Sequence, residues 1–322
     1  MGTISSFMAE QFKHFNARET LEAAKAWKKL VDDGGEMFFV MAGAMSSAEL
    51  GISLSKMIRA KKVHAICCTA ANLEEDLFNL FAHNEYELVP HYRELSAEDE
   101  LQLRNRGFNR VTDTCIPESV MRHTDQIVTE LWKEAEAHGE AKFPWEYVYD
   151  LLDRPELEQH YQVPPENCWV IAAKQARLPI FTPGWEDSTL GNLFTSRVMD
   201  GTLKGHTAVR TGTEQMEALV EWYLERSNPE KPVGFFQIGG GIAGDFAICV
   251  VPLILQDLKR QAPFWAYFAQ ICDSTTSYGS YSGAVPNEKI TWYKLGVETP
   301  KFVIDSDATI VAPLIFAYVL DE

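Results

Sequence analysis

Short apolar runs alternate with amphipathic stretches along most of the chain. MFFVM (37–41), VHAICCT (63–69), VGFFQI (233–238) and KFVID (301–305) have the length of buried strands, and each leads through a loop into a stretch with helical spacing of apolar residues. Fully apolar strands separated by helices are typical of a mostly parallel sheet covered on both faces. The pattern therefore predicts an α/β fold built on a doubly wound, mostly parallel sheet.

Two stretches depart from this alternation. Residues 19–33 are rich in helix formers and end at Gly34 and Gly35, which predicts an N-terminal helical extension over residues 1–35. Residues 84–165 contain charged helical patterns and few apolar runs, which predicts a helical insertion or cap. Since no composition shift marks a linker, we expect residues 36–322 to form one domain.

The composition limits the classes of partner. No apolar run is long enough to cross a bilayer, and the first residues lack the features of a secretory signal, so we expect a cytoplasmic protein with no membrane partner. A formal net charge of −17 argues against a nucleic-acid partner, because nucleic-acid binding depends on Lys and Arg. The same charge favours a cationic partner, although solubility alone explains it equally well.

The cysteines and histidines indicate no metal site. The six cysteines lie mostly in apolar runs, where a free thiol behaves as a small core side chain, and Cys67 and Cys68 are adjacent rather than in a CxxC spacing. The eight histidines form no HxxxH pair. We therefore predict reduced thiols and no bound metal.

The loops that follow the predicted strands are the places to look for a ligand, since ligands bind at the carboxyl ends of parallel strands. IGGGIAGDF (238–246) could bring backbone amides close to a pyrophosphate, or could only allow close packing. Glu74 and Glu75 open a predicted helix, where they either complement its dipole or bind a ribose hydroxyl or an ammonium. Asp187 and Asp307 are either helix caps or ligands of a ribose or an adenine edge.

Lys294, at the end of SGAVPNEKITWYK (282–294), is the sharpest candidate for chemistry. Aromatic neighbours could desolvate its amine and make it a nucleophile that forms Schiff bases. Trp292 offers a face for a cation, and Glu288 could hold an ammonium or move a proton. The alternative is a short amphipathic helix in which Trp292 lies in the core and Lys294 extends into solvent.

The same stretch resembles a known family. GSYSGAVPNEKITWYK (279–294) is similar to the signature of the deoxyhypusine synthase family, Gly-Ser-Asp-Ser-Gly-Ala-Arg-Pro-Asp-Glu-Ala-Val-Ser-Trp-Gly-Lys. TAANLEEDL, EDSTLGN, IGGG and IDSDATIVAPL also resemble family motifs and occur in family order between about residues 36 and 320.

The resemblance implies a Rossmann-like NAD-binding catalytic domain over residues 36–322 that transfers an aminobutyl group from spermidine through an imine on Lys294. The acceptor would be a small polyamine, as in homospermidine formation, or a protein lysine, and the assembly a homotetramer. The residues implied to bind substrate are Glu74, Asn192, Asp245, Gly279, Tyr281, Glu288 and Trp292. Those implied to bind NAD are Ser47, Thr69, Ala70, Ala71, Glu75, Asp187, Gly240, Asp307 and Ala308.

Three of the implied substrate-binding positions depart from the family pattern. Asn192 and Tyr281 stand where the family has aspartates, and Asp245 stands where it has a histidine. Neutral side chains cannot supply the charge-assisted bond that a buried ammonium favours. The amine could therefore bind with a changed orientation or length, and a protein that keeps the fold and binds NAD or polyamine without turnover is the alternative to an enzyme.

Overall fold

A six-stranded parallel sheet forms the centre of the computed structural model, which describes residues 2–122, 124–276 and 278–322. A separate three-stranded antiparallel sheet lies in the insertion. The strands, in chain order, are β1 (Glu36–Met41), β2 (Ala65–Cys68), β3 (Glu87–Leu88), β4 (Phe108–Val111), β5 (Thr114–Pro117), β6 (Ile180–Phe181), β7 (Val233–Ile238), β8 (Phe268–Ile271) and β9 (Lys301–Ile304).

The order of strands in the large sheet is β6-β2-β1-β7-β8-β9. Counted along the chain, these strands are the third, second, first, fourth, fifth and sixth of the sheet, which is the order of dinucleotide-binding folds. The order in which the chain adds strands reverses between β1 and β7. These two strands pair in parallel, with Val40 opposite Gln237. This confirms the predicted doubly wound sheet and puts its switch point beside the loops after β1 and β7.

Helices cover both faces of the sheet. They are α1 (Thr3–Gln11), α2 (Phe15–Asp32), α3 (Gly51–Arg59), α4 (Ala70–Ala82), α5 (Ala97–Asn105), α6 (Asp125–His138), α7 (Pro144–Leu151), α8 (Trp169–Ala176), α9 (Thr189–Met199), α10 (Gly212–Arg226), α11 (Gly241–Ile248), α12 (Val250–Pro252), α13 (Glu288–Thr291) and α14 (Ala308–Val319). A π-helical turn, Leu253–Asp257, continues α12.

Alternate residues of the central strands belong to two apolar cores. Phe39 and Phe236 pack with α2, α3 and α14 on one face, whereas Phe38 and Phe235 pack with α10 and α11 on the other. All four side chains are fully buried, which explains why these strands are apolar throughout rather than alternating.

The N-terminal extension and the insertion, both predicted from the sequence pattern, are each present in the structure. The predicted N-terminal helix is present as α2, and its Trp27 lies with its ring centroid 4.6 Å from that of Phe236 on the central sheet. The insertion contains the predicted helices together with three short strands, β3, β4 and β5, in a stretch where few strands were expected. The boundary at residues 35 and 36 remains a prediction.

The described residues contain no helix that is both long and apolar enough to span a membrane. All six cysteines are free thiols, and five of them are buried. No group of three or more His, Cys, Asp or Glu side chains within the described ranges is arranged to hold a metal ion.

Candidate active site

Two buried glutamines connect the sheet to the loops above it. Gln237 of β7 and Gln270 of β8 are direct partners in the parallel register, and both are almost fully buried. Each donates from Nε2 to the carbonyl of Gly239 at 3.0 Å. Gln270 also donates to the carbonyl of Ser282 at 2.7 Å, while Gln237 accepts the hydroxyl proton of Tyr281 at 2.7 Å. The glycine loop and the loop before α13 are therefore fastened to the same pair of strands.

The glycine loop needs its glycines for this arrangement. Gly239 and Gly241 have φ angles of 70° and 57°, in the left-handed region that favours glycine. A Cβ on Gly240 would lie 2.4 Å from Oγ of Ser282, closer than any real contact allows. The predicted close approach is thus between two segments of the chain itself, at the N-terminus of α11.

A cavity of about 880 Å³ opens at the switch point of the sheet. It is lined by residues that follow β1, β7, β8 and β9, and by residues of the small sheet. Four residues expected to bind NAD are in this lining: Ser47, Gly240, Asp307 and Ala308. Asp307 also accepts the backbone N–H of Thr309 at 2.7 Å, so it is a helix cap at the start of α14 as well.

Glu75 lies next to this cavity, and its Oε2 accepts the backbone N–H of Ser47 at 3.3 Å. Burial raises the pKa of the Glu75 carboxyl to about 7. Thr69 precedes α4, and its hydroxyl accepts from the side-chain amide of Asn72 at 2.8 Å. Thr69, Ala70 and Ala71 are not part of the cavity lining.

Glu74 has a role that the sequence did not indicate. Its two carboxylate oxygens accept the backbone N–H groups of Thr189 and Leu190, each at 2.8 Å, and so hold the first turn of α9. Burial raises the pKa of the Glu74 carboxyl to about 7. Asn192 is exposed on α9 and bonds to the carbonyl of Ser188 within its own helix, and Asp187 is exposed just before that helix.

Lys294 is buried, with 8% of its surface exposed. Its Nζ lies 2.7 Å from Oδ1 of Asp245, whose side chain is half exposed at the surface of α11. Cys249, one turn further along, donates its thiol proton to the same oxygen at 3.5 Å, and burial raises the pKa of this thiol. A lysine amine and a carboxylate that can accept its proton thus meet beside the N-terminal half of α11.

Aromatic rings form a wall around this lysine. The Lys294 Nζ is 5.4 Å from the ring centroid of Tyr281 and 5.8 Å from that of Trp292. Trp292 is 63% exposed, so the arrangement with Trp292 in the core and Lys294 in solvent is wrong. Burial, together with Asp245, raises the pKa of the Tyr281 phenol, which stays protonated and donates to Gln237.

Gly244 makes room for the Tyr281 ring. A Cβ on Gly244 would come within 2.7 Å of Cε1 of Tyr281. The aromatic residue that stands in place of the family's aspartate therefore lies directly on α11, next to the ion pair. Gly279, with a φ of 114°, is in the loop that carries Tyr281, and Glu288 is exposed at the start of α13.

Lys289 is a further residue of the candidate site, and it was not predicted from the sequence. This lysine is only 3% exposed, and its Nζ lies 4.7 Å from the ring centroid of Tyr281 and 5.1 Å from that of Phe268. Burial and the neighbouring charge of Lys294 lower the pKa of Lys289 to about 8. Lys289 lies five positions before Lys294 on α13, which ends at Thr291, and its position beside Glu288 carried little signal of burial. Gln237 and Gln270 were also missed, although each is an amide within an otherwise apolar strand.

Comparison with known proteins gives a consistent result. The sequence model described as deoxyhypusine synthase matches residues 6–319. A deoxyhypusine synthase-like protein of Thermosynechococcus vestitus is 26% identical over 285 residues, covering 88% of this chain and 69% of that protein. The protein named probable deoxyhypusine synthase 1 of Archaeoglobus fulgidus is 22% identical over 310 residues, covering 96% of this chain and 90% of that one.

Among solved structures, the crystal structure of a candidate deoxyhypusine synthase from Entamoeba histolytica superposes with a TM-score of 0.60 at 12% identity. The match covers 99% of this chain and 91% of that chain, and it supports the same fold. Together with the family match over nearly the whole length, the shared motifs around Lys294 lead to one conclusion: this chain belongs to the deoxyhypusine synthase family.

Proposed function

We propose that this protein is an NAD-dependent transferase that moves an aminobutyl or related aminoalkyl group from spermidine or a similar amine to an acceptor amine. The observation that carries the proposal is the buried Lys294 amine, 2.7 Å from the Asp245 carboxylate and next to two aromatic rings. Membership of the family supports the same chemistry.

Lys294 is the nucleophile in this proposal. Its amine adds to the electrophilic carbon of the oxidised donor and displaces the donor's other amine, which leaves a C=N bond between the aminoalkyl carbon and Nζ. Asp245 accepts the proton that the Lys294 ammonium must lose before it can attack. The acceptor amine then displaces Nζ from the same carbon and frees the lysine.

The residues of the switch-point cavity fit a dinucleotide. A volume of about 880 Å³ is in the range of cofactor pockets, and the glycine loop and two helix N-termini, those of α11 and α14, open onto it. Ser47, Gly240, Asp307 and Ala308 would hold the group there, with Glu75 behind Ser47. Bound NAD would supply the acceptor and donor of hydride. Thr69, Ala70, Ala71 and Asp187 are further proposed contacts of the cofactor.

The polyamine would lie against Trp292 and Tyr281, with Asp245, Glu288 and Asn192 as proposed polar contacts, and with Glu74 and Gly279 as supports. Because Asn192 and Tyr281 are neutral, the site offers less negative charge than the family pattern, and we favour a small amine as acceptor over a protein lysine. Exposed Val285, Trp292 and Val297 support a partner subunit beside the site, as in the proposed cytoplasmic homotetramer.

Incubation with NAD and spermidine, followed by borohydride reduction and peptide mapping, tests the proposal. The expected result is an aminobutyl mass on Lys294 that is absent from Lys294→Ala and present in Lys133→Ala, which changes an exposed lysine on α6. Absence of the adduct with spermidine and with a panel of diamines, while NAD and amine still bind, would contradict a transferase and identify a binding protein.

A further inference from the structure

Lys289 is a buried cation with little compensation. Its Nζ donates one hydrogen bond, to the carbonyl of Ala284 at 3.3 Å, and it forms no ion pair with any residue in the described ranges. A buried ammonium without a carboxylate partner is costly, and such groups are concentrated at functional sites.

Its surroundings place it in the candidate active site. Nζ of Lys289 and Nζ of Lys294 both lie over the ring of Tyr281, at 4.7 Å and 5.4 Å from the centroid. The Phe268 ring, at the base of the site, is 5.1 Å from the Lys289 amine. Two lysine amines therefore contact the ring of Tyr281, and aromatic surface of this kind would otherwise attract a ligand ammonium.

The charges that face Lys289 come from three segments. Glu288 precedes it on α13, Lys294 follows after the end of that helix, and Asp245 projects from α11. Tyr281 remains a neutral phenol, and the Asp245 carboxylate is already bonded to Lys294. The family signature has alanine at the position of Lys289 and arginine at that of Val285, so in this chain the cation of this segment lies at a buried position instead of an exposed one.

We propose that Lys289 is a specificity-determining residue, whose buried charge disfavours a second ammonium close to it, so that the acceptor amine carries a neutral or anionic tail and the further ammonium groups of a polyamine donor lie away from Lys289. The inference rests on the proposed transferase and names the class of amine that its site accepts. Like charges separated by a few ångströms in a site of reduced dielectric repel strongly, so the effect does not require contact between Lys289 and the ligand. As an acceptor, a monoamine or an amino acid with a terminal amine fits this charge pattern better than a diamine.

Three amines of similar length test the selection: the terminal group is neutral in 1-aminobutane, cationic in 1,4-diaminobutane and anionic in 4-aminobutanoate. Their dissociation constants are measured calorimetrically in the presence of NAD, at pH 7, with the wild type, Lys289→Met and Lys289→Arg. Lys133→Met serves as the control for loss of a lysine at an exposed position.

In Lys289→Met we expect the dissociation constant of the diamine, relative to that of 1-aminobutane, to fall about tenfold or more. The binding of 4-aminobutanoate should weaken, and Lys289→Arg and Lys133→Met should keep the wild-type ratios. At pH 9, above the Lys289 pKa of about 8, the wild-type ratios should approach those of Lys289→Met. This last measurement needs no variant and holds even if Lys289→Met does not fold.

Ratios that are unchanged in Lys289→Met and at pH 9 overturn the inference, as does failure of all three amines to bind. The formation of the borohydride-reduced adduct on Lys294 is a separate test of the proposed transferase activity. An adduct with unchanged ratios rejects the role of Lys289 alone, whereas changed ratios without any adduct reject the transferase and leave the charge selection intact.

Discussion

Nζ of Lys294 and Oδ1 of Asp245 lie 2.7 Å apart although the two residues are 49 positions apart in the chain. Asp245 belongs to α11, directly after the glycine loop, and Lys294 follows α13. The amine is buried and the carboxylate is half exposed, so the lysine end of the pair is enclosed by the protein while the aspartate end is open to solvent.

Asp245→Asn should slow the trapping of the aminoalkyl group on Lys294 by about 100-fold or more. The amide keeps the shape of the side chain but cannot accept a proton from the ammonium, and general bases typically contribute factors of this size. The initial rate of adduct formation, measured by intact mass after borohydride reduction, gives the comparison.

Asp257→Asn is the matched control, because Asp257 is an exposed carboxylate on the same stretch of helix. It should react at the wild-type rate. Trapping by Asp245→Asn at the wild-type rate would show that Asp245 is not the base.

Lys289→Met should stabilise the protein at pH 7 by at most about 3 kcal/mol, since the pKa of Lys289 falls from 10.5 to about 8 on folding. The folded state binds this proton less tightly than the unfolded chain, so the wild type should gain stability as pH rises from about 8 to 10.5. The difference from Lys289→Met should shrink over the same range.

Chemical denaturation at several pH values between 7 and 10 measures this difference. Lys133→Met, which removes an exposed lysine, should show no such dependence relative to the wild type. A constant difference between the wild type and Lys289→Met would mean that Lys289 is not desolvated in the folded protein.

Tyr293→Gly should stabilise the fold by up to about 1 kcal/mol, because relief of the left-handed conformation outweighs the entropy that glycine loses on folding. Tyr293 has a φ of 58°, and the family signature has glycine at this position. Its side chain is 48% exposed, so removal of the ring loses limited burial.

Tyr293→Ala removes the same ring but keeps Cβ, and it should be less stable than Tyr293→Gly in denaturant unfolding. Equal stability of the two variants would contradict a backbone cost at this position. The pair of variants separates conformational strain from the packing of the tyrosine.

Glu74→Ala should destabilise the protein by about 1–3 kcal/mol, since the backbone N–H groups of Thr189 and Leu190 lose the carboxylate that accepts from them. Glu186→Ala, at an exposed position before α9, should change the free energy of unfolding little. If denaturant unfolding gave equal effects for the two variants, Glu74 would not be the group that secures this helix.

The central sheet was predictable because its strands are apolar throughout. VGFFQI was expected over 233–238 and β7 has those bounds, while the strand expected over 63–69 is shorter, since β2 runs only from Ala65 to Cys68. The small sheet of the insertion was not visible, since its strands of two to four residues alternate with charged residues and carry little periodicity.

Single motifs were enough to place part of the candidate site, whose residue roles stay predictions. Lys294 was identified from its aromatic neighbours and the family signature, and the structure brings Asp245 and Tyr281 to it. Lys289 was not identified, because a lysine directly after Glu288 has the sequence pattern of an exposed residue. Only the packing of Phe268 and Tyr281 around it shows that it is buried.

The register between β7 and β8 sets the alignment of the groups in the candidate site. Gln237 and Gln270 lie side by side on the neighbouring strands β7 and β8. Their side chains form hydrogen bonds with Gly239, Tyr281 and Ser282. A slip of either strand by one residue would turn its amide to the opposite face and release one loop. Correct strand pairing during folding is thus a precondition for assembling the site, and a mispaired sheet would hold every residue needed for the chemistry without bringing them together.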